Sequence, residues 1–91
     1  MAFILLSFEV DNYDEWKQVF DSDPVGRKAV AKGHLITRAV DNPNQIFLRT
    51  EHPTVDDAKS FRDRLLESGV LDRFPARLGP TVVEVVEDVT Y

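Results

Sequence analysis

Imidazole titrates nearest neutrality of all side chains, and this chain carries two, His34 and His52. His34 opens a segment that reads as a strand, and His52 closes the next one. A hairpin turning at Asn42-Pro43 places them nearly opposite each other, at the sheet end away from the turn. There they could serve as general acid and base. The plainer alternative is two histidines on a surface rim. The same hairpin puts Arg38 beside Arg49, with Glu51 next along and Ser7, Glu9 and Glu84 within reach. A forked guanidinium suits an enolate, carboxylate or phenolate ligand. It suits a structural ion pair at an interface better still, and Glu9, Glu51 and Glu84 are then the expected partners of Arg49. Tyr13, Trp16, Phe20 and Phe61 supply flat apolar walls. They are core aromatics on one reading and the lining of a substrate pocket on the other.

Other chemistries lack their residues. The 91-residue chain has no cysteine, which removes thiolate nucleophiles, disulfides and Cys-based zinc sites together. No histidine pair stands at metal-ligand spacing, so no metal site is expected. No Gly-rich phosphate loop or nucleotide fingerprint occurs. A formal charge of −5 and a pI of about 4.8 argue against nucleic acid and against an anionic membrane surface. The apolar start, Met1 to Phe8, has no basic flank and runs straight into Glu9 and Asp11. A soluble cytoplasmic protein is expected.

These side chains need elements to hold them. Residues 2 to 10 read as a first strand, short and rich in branched and aromatic residues. Asn12 with Glu15 forms a capping-box pattern, and Tyr13, Trp16, Val19 and Phe20 follow at helical spacing as one buried stripe. Asp23-Pro24 interrupts, and a second helical piece is expected over Val25 to Lys32, closed by Gly33. Strand two runs from Gly33 to Asp41, a turn follows, and strand three spans Gln45 to His52. Thr54 with Asp57 opens another helix, which ends at Ser68-Gly69. Leu71, Phe74 and Leu78 form a satellite apolar cluster over Val70 to Gly79, and the last strand spans Thr81 to Val89. One domain over residues 1–91 is therefore expected, an α+β fold in the ferredoxin-like order β-α-β-β-α-β. Right-handed crossovers suggest strands one and three side by side and parallel.

Alternation assigns Ile4, Leu6, Phe8, Ile46 and Leu48 to the sheet face under the helices. Phe3, Leu5 and Phe47 fall on the other face, with Glu9, Arg49 and Glu51 toward its opposite end. The last strand reads as apolar on both faces through Val82, Val83, Val85, Val86 and Val89. A solvated face does not carry such residues, so the expected partner is a second copy, a homodimer closed through the open sheet face.

The strand-to-helix junction from Phe47-Leu48-Arg49-Thr50 through Asp56-Asp57-Ala58 to Phe61, with the element order and chain length, resembles the dimeric α/β barrel superfamily. The nearest likeness is to its small antibiotic-biosynthesis-monooxygenase-like proteins. That resemblance covers essentially the whole chain. It implies a four-stranded antiparallel sheet in a dimeric α/β barrel, and a pocket between sheet and helices taking flat hydrophobic substrates without a cofactor. The resembled monooxygenases usually carry a histidine in the helix after strand three, whereas here Ala58-Lys-Ser-Phe-Arg-Asp-Arg-Leu-Leu66 has none. The readings therefore diverge. The chain is either a small oxygenase, cyclase or isomerase with His52, His34 and Arg49 as catalytic candidates, or a non-catalytic module that binds a small hydrophobic ligand. Tyr13, Trp16, Phe20, Phe61 and Arg38 are the candidate binding residues.

Overall fold

The computed structural model describes residues 1–91. Strand β1 (Ala2–Glu9) leads into helix α1 (Tyr13–Asp21) and a single helical turn, α2 (Arg27–Val30). The hairpin β2 (Gly33–Arg38) and β3 (Gln45–His52) follows, then helix α3 (Val55–Ser68) and strand β4 (Leu78–Glu84). The sheet order is β2-β3-β1-β4, and every neighbouring pair is antiparallel. This is the ferredoxin-like α+β arrangement. The expected parallel pairing of strands one and three is corrected. A crossover makes β1 and β2 parallel but leaves a gap between them. The hairpin then folds β3 back into that gap, reversed.

Both main helices start as the capping patterns require. Asn12 accepts from the Glu15 N–H at 3.0 Å, and Thr54 accepts from the Asp57 N–H at 3.1 Å. The second helical piece is shorter than expected. Asp23 and Gly26 both adopt left-handed backbone, at φ of 58° and 73°. That reversal postpones the helix to Arg27. The Asp23 carboxylate then caps it, accepting from the N–H groups of Arg27 at 2.7 Å and Lys28 at 3.1 Å.

The covered face is buried as alternation predicts: Ile4, Leu6, Phe8, Ile46 and Leu48 all lie in the core. Two buried clusters form there, one around Phe8, Leu48 and Leu71, the other around Ala2, Ile4, Ala58 and Phe61. Leu71 and Phe74 are part of the first cluster rather than a satellite, because Phe74 stacks on Phe8 at 4.7 Å. The stripe on α1 behaves differently. No residue of α1 is buried, and Val19 is largely exposed.

On the open face, the antiparallel register disperses what the sequence suggested was segregated. Phe3 pairs with Glu51, Leu5 with Arg49 and Ser7 with Phe47; Leu35 flanks Arg49 from β2. Apolar and polar side chains therefore alternate across the sheet. Leu5 at 42%, Leu35 at 47%, Phe47 at 47% and Leu78 at 72% exposure make the apolar squares of that board. Arg49 has none of its expected acidic partners and lies over the Phe3 ring at 4.8 Å instead. Glu84 is opposite Ala2, which assigns it to the other face.

Strand β4 begins earlier and ends earlier than expected. Its first residues are Leu78 and Gly79, where β1 is irregular between Leu5 and Ser7. Gly79 has φ of 88°, and a Cβ there would collide with the Leu5 carbonyl. Only glycine fits. Val85, Val86 and Val89 lie beyond the strand and are exposed.

Candidate functional site

A chamber of about 90 Å³ lies beneath α1, whose Trp16 and Phe20 pack only partly buried against the core. One water needs roughly 10–15 Å³ of such space, so the chamber holds several waters or one small ring. Leu6, Phe8 and Leu48 floor it from the sheet; Trp16, Phe20, Phe61 and Leu65 wall it from the helices. Four polar side chains join them: Asp23, Arg27, Thr50 and Arg73. Outside lies a wider, more polar cleft of about 350 Å³ bordered by Glu9, Asp11 and Glu15. Trp16, Val19, Arg73 and Phe74 border both spaces.

Helical spacing gives the aromatic wall its order. Tyr13, Trp16 and Phe20 succeed one another along α1, and Trp16 stacks on Phe20 at 5.1 Å. Phe8 from the sheet meets Trp16 at 5.4 Å. Behind Phe20, His34 meets the ring edge-on at 5.0 Å. Phe61 completes the far side and packs against His52 at 5.4 Å.

Among the sequence candidates, Trp16, Phe20 and Phe61 line the chamber. Tyr13 lies outside it, with Arg38 over its ring at 5.3 Å. The hairpin register is shifted from that expected, so His34 is opposite Thr50 and Arg38 is opposite Ile46. His34 and His52 are therefore not directly opposed. Arg38, level with Ile46, and Arg49, level with Leu35, emerge on opposite faces because side chains alternate along a strand. Arg49 belongs to a shallow hollow on the open face, with Leu5, Leu35, Phe47 and Leu78.

His52 is fully buried, and its Nε2 lies 2.9 Å from the Thr50 hydroxyl. Its Nδ1 has no partner in the protein. Burial pushes the imidazole below its ordinary pKa, with Asp57 pulling the other way. The ring is thus held neutral. It does not border the chamber itself, but reaches it through Thr50. His34 is also lowered, by partial burial and by the charges of Arg27 and Lys17.

Arg27, Asp23 and Thr50 were not singled out from the sequence. Arg27 is only 6% exposed. Its guanidinium lies over the Phe20 ring at 3.6 Å, its Nη1 donates to the Phe20 carbonyl at 3.3 Å, and Asp23 is 3.9 Å away. Burial lowers its pKa, while Asp23 and Asp21 oppose the shift. The available signal was Asp23-Pro24-Val25-Gly26, a turn whose glycine swings the next side chain inward. No three His, Asp or Glu side chains converge closely enough to hold a metal ion.

The fold has counterparts among solved structures. Rv0793 from Mycobacterium tuberculosis superposes with a TM-score of 0.67 over 98% of each chain, at 11% sequence identity. A provisionally named antibiotic biosynthesis monooxygenase from Nitrosomonas europaea superposes with a TM-score of 0.56, at 15% identity. That match covers 96% of this chain and 100% of the other. This chain shares their fold. At such identities the likeness carries no residue roles. No protein-family model matches the sequence, and no curated protein matches it either. No helix is long and apolar enough to cross a membrane.

Proposed function

We propose that this chain is a small homodimeric enzyme, of the oxygenase, cyclase or isomerase kind. It acts on a hydrophobic, polyketide-like substrate and needs no bound cofactor. The observation that carries this reading is the chamber: an aromatic wall on α1 and α3 facing a sheet wall that bears Thr50, with His52 directly behind it. A flat ring slides between Trp16 and Leu48, and the rest of a larger substrate passes the shared border at Trp16, Val19, Arg73 and Phe74 toward the outer cleft. The Thr50 hydroxyl can relay a proton between that ring and the neutral imidazole. The fold shared with a protein named as a monooxygenase supports the reaction class. The second copy covers the open sheet face, where four large apolar side chains surround Arg49.

Oxygen uptake with a phenolic anthrone tests the reading. Turnover is expected, and His52→Gln should lower it roughly a hundredfold, the scale of general acid–base catalysis. Trp16→Ala should raise KM. Unchanged turnover in both variants removes this assignment.

Two observations favour the alternative, a binding module without chemistry. His52 meets the chamber only through Thr50, and the carboxylate oxygens of Asp23 are already engaged by backbone N–H groups. Saturable ring binding with no turnover of any substrate would mark that case.

A further inference from the structure

The least satisfied polar group of the chamber is a cation. Arg27 presents five N–H donors. Nη1 reaches the Phe20 carbonyl, but Nη2 is buried without a partner in the protein. Asp23 does not neutralise it through a close pair. Their separation is 3.9 Å, and both Asp23 oxygens accept from the backbone of α2. A buried guanidinium with unused donors is costly unless an acceptor meets it. The chamber it borders is otherwise mainly hydrocarbon.

We infer that the inner end of the chamber is an anion subsite, where the Arg27 guanidinium receives the ionised oxygen of a small aromatic ligand, a phenolate or an aryl carboxylate. The inference rests on the chamber being a ligand site and adds the polarity of what enters it. The ring packs against Trp16, Leu48 and Phe61, while its oxygen meets the Arg27 guanidinium in a charge-assisted hydrogen bond, for which the buried Nη2 must turn toward the chamber. Arg27 rather than Arg49 has this role, because Arg49 opens onto the other face of the sheet. The charges around Arg27 do not cancel the preference. Arg73 also borders the chamber, and Lys17, Lys28 and Arg64 stand with Asp21, Asp23 and His34 around the α1–α2 turn.

The test uses para-nitrophenol, whose ionised form is yellow, and toluene as a neutral ring. Binding is followed by emission of Trp16, the only tryptophan. The phenolate should bind about tenfold more tightly than the phenol, so that binding yellows the probe at a pH where it is half ionised. Arg27→Gln should abolish that preference and leave toluene binding within about twofold. If that variant does not fold, the phenolate-to-phenol ratio of the natural protein decides alone. Toluene binding with equal affinity for both nitrophenol forms, or a preference that survives Arg27→Gln, overturns the anion subsite and leaves the chamber reading standing. If neither probe alters Trp16 emission, both readings fall.

Discussion

The Thr50 hydroxyl lies 2.9 Å from His52 Nε2, and of the two residues only Thr50 borders the chamber. Both are buried, and they are successive inward-facing residues of β3. The imidazole is therefore insulated from the chamber by a single hydroxyl.

Replacing that hydroxyl tests the pair. Thr50→Val keeps the shape but strands a buried imidazole nitrogen, a loss of roughly 1–3 kcal/mol. Urea denaturation should show it, and Thr50→Ser should recover most of it. Any activity should fall in Thr50→Val further than in Thr50→Ser.

Acid should weaken the fold before the carboxylates titrate. His52 and His34 both have pKa values below the ordinary 6.5. In the unfolded chain they take up protons first, so stability is complete above that value and is lost as pH falls toward the folded pKa values. Thermal unfolding followed downward from neutral pH should show a falling Tm. His52→Gln should flatten that slope, and an unchanged slope would mean that His52 is not held neutral.

Gly79 closes the sheet edge against β1. With φ of 88° and the Leu5 carbonyl in the path of any Cβ, Gly79→Ala must displace β4. A cost of about 1–3 kcal/mol is expected. Gly33→Ala, where nothing stands within 4 Å, is the control and should be nearly neutral.

The open face should hold two copies together. Leu35→Asp places a carboxylate amid Leu5, Leu78 and Phe47, and the dimer should dissociate without unfolding. Light scattering reads the result directly. A natural protein that is monomeric at micromolar concentration would end the homodimer proposal.

Much of the fold was legible because its signals are local. Asn12 and Thr54 announce their helices through side chains that bond three residues on, and alternation alone picks out Ile4, Leu6, Phe8, Ile46 and Leu48. What failed was longer in range. The direction of β3 against β1 depends on the path of the intervening hairpin, not on either strand's composition. A shift in hairpin register moved His34 out of line with His52, and the alternation of side chains along each strand put Arg38 and Arg49 on opposite faces. Arg27 was hidden for a different reason. Arginine is usually a surface residue, and only the left-handed backbone at Asp23 and Gly26 carries this one into the interior.

The space beneath α1 has an energetic meaning. The side chains around it lack the packing partners that a filled core would give them, and stability is the poorer for it. Whatever molecule fills the space therefore acts on the folding equilibrium as well as at the site. Its identity can be sought by heating the protein in a library of small aromatic acids and asking which of them delays melting.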